Sequence, residues 1–229
     1  MFSLVLGGMM LGALALTANA QVTLTLPMQS FTGVTDYNGV FNFAQFDPSL
    51  GSLISVQIDL ATNFTSDITV TNTAAGASSG NVRTEVQDGL TDGTFTSPGN
   101  ILTVSGELYK VTDDLLSAPA AYSLASGAST VLNVSKSSTA SGLFTTGPVK
   151  TEFTGLGLVG IKYATLTGTV LANTGGNTNS TQVTTATMKA TVTYRYDSSV
   201  PEPGAMALLG TGVVGAMGLA VRRRVLRKK

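Results

Sequence analysis

LISVQIDL, residues 53–60, and MKATVTYRYD, residues 188–197, decide the fold. In the first, Ile54, Val56, Ile58 and Leu60 share one side of an extended chain, and Ser55, Gln57 and Asp59 share the other. In the second, Met188, Ala190, Val192, Tyr194 and Tyr196 alternate with Lys189, Thr191, Thr193, Arg195 and Asp197. A two-residue period is that of a strand with one buried face. Similar runs occur at Val22–Leu26, Val40–Phe46, Ile68–Thr73, Val82–Val86, Ile101–Lys110, Thr130–Ser135 and Leu158–Leu171. The last changes phase near Tyr163–Leu166, which predicts a bulge or bend. Helical periodicity of useful length is absent.

Turn chemistry separates the runs. Asp88-Gly89 and Asp92-Gly93 are hairpin-type dipeptides. Asp47–Gly51, Ser97–Asn100 and Asn173–Asn177 have loop composition, and Ala74–Gly80 (AAGASSG) is a short low-complexity loop. About ten short antiparallel strands at this spacing predict an all-β chain, a single β-sandwich of jelly-roll type, over residues 21–199.

Composition narrows the chemistry. The 229 residues include no Cys, His or Trp. Disulfides, the usual zinc, copper and haem ligand sets, and nucleophile pairs that use histidine are therefore excluded. No cofactor is expected, although oxygen-ligand metals such as calcium stay open. The net charge of zero hides an asymmetry. Six of the 13 basic residues are Arg222, Arg223, Arg224, Arg227, Lys228 and Lys229, so residues 21–199 hold seven basic and 12 acidic side chains, about −5. Such a domain has no electrostatic reason to bind nucleic acid.

Two flanking segments carry addresses. Residues 1–20 (MFSLVLGGMMLGALALTANA) are apolar and end in Ala18-Asn19-Ala20, a small-x-small site. They read as a signal peptide cut after Ala20 by signal peptidase, following export through the Sec machinery. The segment has no Lys or Arg before its apolar run, which predicts a start codon further upstream. At the other end, Gly204 to Val221 is 18 residues without a charge. A helix of that length spans about 27 Å, just under the ~30 Å hydrocarbon core, so a transmembrane helix is expected. The basic residues of 222–229, led by Arg222, Arg223 and Arg224, stop transfer and keep that side in the cytoplasm. Gly210-Thr211-Gly212-Val213-Val214-Gly215 fits a dinucleotide fingerprint only in letters, because it lies inside the apolar run and not within a βαβ unit.

Pro201-Glu202-Pro203, the apolar span and the Arg-rich tail together resemble the PEP-CTERM sorting signal. That resemblance implies recognition of Pro201, Glu202 and Pro203 by an exosortase, an integral-membrane transpeptidase of exopolysaccharide-producing bacteria. The two prolines fix the backbone and remove two donors, which holds the motif extended for a peptidase groove. Phe41–Leu53 (FNFAQFDPSLGSL) is similar to the choice-of-anchor E domain, a surface-protein module without an activity to carry over.

Candidate chemistry within residues 21–199 is sparse. A glycoside hydrolase needs two carboxylates across a cleft; Asp36, Asp47, Asp59, Glu85, Glu107 and Glu152 are available, with no pair marked by spacing. Asp88, Thr91 and Asp92 in DGLTD, and Asp113-Asp114, permit calcium only loosely. Asn63, Asn133 and Asn179 open N-glycosylation sequons by pattern, which read as chance products of a Thr- and Ser-rich surface. The expectation is a non-enzymatic secreted protein, held briefly in the inner membrane, then sorted to the cell surface or an exopolysaccharide (biofilm) matrix. The alternatives are a carbohydrate-binding or adhesion module and a surface glycoside hydrolase.

Overall fold

The structure, a computed structural model, describes residues 21–97 and 101–198. Its strands are β1 (Gln21–Thr25), β2 (Gln29–Val34), β3 (Asn38–Ala44), β4 (Gly51–Asn72), β5 (Ser78–Thr91), β6 (Thr94–Thr96), β7 (Thr103–Ser105), β8 (Lys110–Leu116), β9 (Ala120–Leu124), β10 (Ser129–Phe144), β11 (Leu158–Thr174) and β12 (Thr178–Ser198). One short helix, α1 (Gly147–Glu152), and a 3₁₀ turn, Pro48–Leu50, complete the described elements.

All strand pairings are antiparallel. One sheet runs β1-β12-β4-β10, and β2 also pairs with β12. The other runs β3-β11-β5-β8, and β9 also pairs with β5. β1 and β2 lie end to end along β12, and β8 and β9 lie end to end along β5. Each couple is one interrupted strand. The eight strands that result follow the order 1-8-3-6 in one sheet and 2-7-4-5 in the other, which is the double Greek key of a jelly roll. β6 and β7 form a separate ribbon inserted between β5 and β8.

The expected strands exist, but several are far longer than their apolar runs. β4 joins the runs at 53–60 and 68–73 into 22 residues, about 70 Å of extended chain. Its inward positions between those runs are Thr62, Phe64 and Ser66, so the polar pair hides the continuity. β11 shows no bulge: Lys162↔Thr91 through Thr174↔Ser79 keeps one register with β5. The apparent phase change arises because Thr165, Thr167 and Thr169 occupy inward positions after Val159, Ile161 and Tyr163. The register shift lies instead at Arg195/Tyr196, opposite Ser55 and Leu53; Leu53 packs against the core beyond it. Residues 101–110 are not one strand; β7 ends at Ser105 and β8 starts at Lys110. Asp88-Gly89 is not a turn but lies inside β5. A Cβ on Gly89 would meet Thr112 Cγ2 at 3.1 Å and Phe95 Cε1 at 3.3 Å. The glycine permits close approach of the β6 ribbon rather than a reversal of the chain.

The interior divides into two apolar clusters along the strands. One gathers Val56, Ile58, Leu60, Phe41, Phe43, Leu90, Ile161, Met188, Val192 and Tyr194. The other gathers Phe64, Ile68, Val70, Val82, Val86, Leu115 and Ala186. Thr62, Asp88 and Thr165, all buried, fall where the clusters meet. The end of the sandwich near Ser198 is closed by aromatic rings: Phe46 and Phe153 approach Tyr194 edge-on at 5.8 and 6.2 Å, and Tyr109 lies 5.3 Å from Phe153. Tyr194 Oη donates to the Ala44 carbonyl at 2.7 Å. α1 begins with Gly147-Pro148, where proline suits the first turn, and buries Val149 in the same plug.

Candidate functional site

Gln21 pairs with Asp197 on neighbouring strands. Both boundaries of the sandwich therefore sit at one end, and the loops at 73–77, 125–128 and 175–177 sit at the other. Ala18, Ala20, Pro201, Glu202, Pro203, Arg222, Arg223 and Arg224 lie outside the described residues. Among the described residues no helix is long and apolar enough to cross a membrane, and the span expected over 204–221 lies outside them.

The carboxylates considered from sequence are spread over the fold, most of them held locally. Asp36, at a positive φ of 64°, accepts the Thr167 amide at 2.7 Å. Asp47 caps the 3₁₀ turn and accepts the Ser49 amide at 2.8 Å, which holds its carboxyl below the usual range. Asp59 accepts from Gln57, and Glu85 accepts from Gln87. Glu107 pairs with Lys110 at 3.2 Å. Glu152 ends α1, and burial, with Asp92 nearby, raises its carboxyl above the ordinary range. The structure does not bring Asp88, Thr91 and Asp92 together as a calcium loop. Asp92 accepts the Leu108 and Tyr109 amides at 2.9 and 3.2 Å, and Thr91 Oγ1 donates to the Tyr109 carbonyl at 2.9 Å. Those contacts fasten the chain before β8 onto the end of β5. The sequon residues Asn63, Asn133 and Asn179 are exposed on the outer face of the β12–β4–β10 sheet.

One constellation escapes a reading by spacing. Strand alternation sets Asp88 on the inner face of β5 with Val82, Val86 and Leu90. Asp113 stands directly opposite on β8, where cross-strand Cβ atoms are about 4.5–5.5 Å apart. Asp88 is 1% exposed, and neither of its carboxylate oxygens has a hydrogen-bond partner among the described residues. Thr62 Oγ1, from the facing sheet and 2% exposed, and Asp113 Oδ2 are also unpartnered. Burial drives the Asp88 carboxyl up to about 7; the neighbouring Asp113 and Asp114 add to this, and Thr62 opposes it. Beside the same strand pair lies a groove of about 610 Å³ lined by Gln87, Asp88, Lys110, Thr112, Asp113, Asp114 and the chain at 101–104. There, burial and then Glu85 raise the Asp114 carboxyl. Among the described residues no three acidic side chains gather as a metal cluster; what converges is two carboxylates and one hydroxyl. The signal in the sequence was the alternation Val82-Thr84-Val86-Asp88-Leu90, which puts an aspartate where a core side chain belongs.

The outer face of the β12–β4–β10 sheet is an array of small polar side chains. Across the strands, Thr187, Asn63 and Ser137 align, as do Thr185, Thr65 and Ser135. Thr32 and Thr187 hydroxyls bond at 2.9 Å, and Thr71 and Ser129 at 2.8 Å.

No curated protein matches the chain. Solved structures similar to it include the T13 IBDV viral particle, at 14% identity over 80% of this chain and 46% of that chain, with a TM-score of 0.16. The infectious bursal disease virus Gx strain gives 13%, 82%, 48% and 0.15, and Mud crab tombus-like virus gives 9%, 82%, 86% and 0.20. The chain spans about half the length of the first two. Scores of this size carry no argument, and the fold rests on the strand order alone. The sequence model of the PEP-CTERM protein-sorting motif matches residues 199–224, beginning at the residue after β12. The chain thus carries a PEP-CTERM sorting motif joined directly to the last strand of a jelly roll.

Proposed function

We propose that this is a non-enzymatic surface or extracellular-matrix protein, exported and then sorted by an exosortase-type peptidase acting at Pro201-Glu202-Pro203. The sorting motif implies export and passage through the membrane. The observation that carries the rest is the junction: β12 runs to Ser198 and the motif starts at 199, with no linker between. β12 alone is 21 residues, about 70 Å of extended chain, and runs from the far loops to Ser198. The likeness of residues 41–53 to a choice-of-anchor module agrees with a display role. Mass analysis of C-terminal peptides from the surface and matrix fractions of the native host tests the proposal. Surface protein ending near Pro203 is the expected result; peptides from 204–221 in most of it would show a permanent anchor instead.

A carbohydrate-binding role is favoured by the hydroxyl and amide array on the outer face, whose donors and acceptors suit the exopolysaccharide expected around such a cell. Retention of the protein by that polysaccharide, lost when Thr65, Thr185 and Thr187 become Val, would support it.

A further inference from the structure

The set at Asp88 is short of donors: the Thr62 hydroxyl and the Asp113 amide lie near its carboxylate, and neither reaches hydrogen-bond geometry. Ionised carboxylates only accept hydrogen bonds, and Thr62 supplies a single hydroxyl hydrogen. Four buried oxygens, Asp88 Oδ1 and Oδ2, Asp113 Oδ2 and Thr62 Oγ1, thus face one another's strands without a partner. Among the described residues no ion pair reaches them: Lys110, which lines the adjoining groove, pairs with Glu107. An unpaired carboxylate in an apolar interior is costly unless it takes up a proton or a metal ion. Oxygen-only donors, two of them on one bidentate-capable aspartate, match a hard cation, and the absence of a rigid octahedral cage favours the larger one. The four oxygens are closed off from solvent, but β8 is an edge strand and Asp113 is only half-buried, so that side of the set lies nearest to water.

We propose that Asp88, Asp113 and Thr62 form a calcium site between the two sheets, reached from the β8 edge. Water fills the remaining coordination positions, and the short ligand set places its affinity in the weak range of 10⁻⁴–10⁻³ M, on the order of that of extracellular modules. Bound calcium joins β4 of one sheet to β5 and β8 of the other at the boundary between the two apolar clusters.

The test is thermal melting of the full chain in detergent at pH 7.5, followed by circular dichroism, in a chelator and then in about 10 mM calcium or magnesium. That calcium concentration is about ten to a hundred times the expected dissociation constant and should raise the Tm by about 3–10 °C, with magnesium doing less. Asp88→Asn should abolish the response, and its chelator-treated form should melt above the parent because the uncompensated charge is gone. Asp67→Asn, on the outer face, should respond like the parent. If Asp88→Asn does not fold, Asp113→Asn supplies the same comparison. No calcium response in the parent would mean that the set takes only a proton, and an undiminished response in the Asp88 or Asp113 variant would put the ion elsewhere; either overturns the site.

Discussion

Without metal, Asp88 makes stability depend on pH in a direction opposite to that of most carboxylates. Its folded-state pKa is about 7 against an ordinary 3.8. Between those values the folded protein keeps a proton that the unfolded chain has released. Stability therefore falls as pH rises, starting near pH 4, and the loss is complete above pH 7. At about 1.4 kcal/mol per pH unit the interval amounts to at most about 4 kcal/mol. Asp88→Asn carries no such proton. In chelator the variant and the parent should match near pH 4 and diverge to a Tm gap of up to about 8–16 °C by pH 8. Carboxylates remote from Asp88 cancel in the difference. The assay is a series of melts in half-unit steps from pH 4 to 8. A gap that stays constant across the series would refute the reasoning, since Asp88 would then titrate alike in the folded and unfolded chains.

Tyr194→Phe removes the donor to the Ala44 carbonyl and leaves that acceptor unpaired in the aromatic plug; a loss of about 1–2 kcal/mol is expected, read as a lower urea midpoint with unchanged slope. Gly80→Ala would drive a Cβ to 2.0 Å from the Ala172 carbonyl oxygen, on the neighbouring strand β11. It should separate β5 from β11 at the far end and cost at least about 3 kcal/mol, measured by the same titration. Glu202→Ala should block processing while export proceeds, so that an immunoblot of membrane fractions shows the unprocessed length accumulating.

What could be read from sequence followed the apolar alternation. LISVQIDL and the 188–197 run became the paired centre of one sheet, with the inward residues that alternation gave except at Ile54, where the register shift turns Leu53 to the core instead. The extent of β4 and β11 was hidden by threonine and serine at inward positions, where hydroxyls such as those of Thr184 and Ser66 bond each other at 2.8 Å within the core. Asp88-Gly89 misled for a related reason: the dipeptide that favours a turn was retained in a strand, by a close approach at Gly89 and by an aspartate that faces the interior. The Asp88–Asp113 pair was unreadable because the two are 25 positions apart and meet only through the β5–β8 register. The sorting motif was legible because its three parts are contiguous.

The pairing of β12 with β4 along its whole length has a mechanical meaning. A pull between the far loops and Ser198 acts along β12 rather than across it. The ladder on that strand is then loaded in shear, so its rungs share the force at once instead of parting one by one as in a zipper. Forced unfolding depends on the unfolding rate under load, and shear keeps that rate low for a pull applied between the far loops and Ser198.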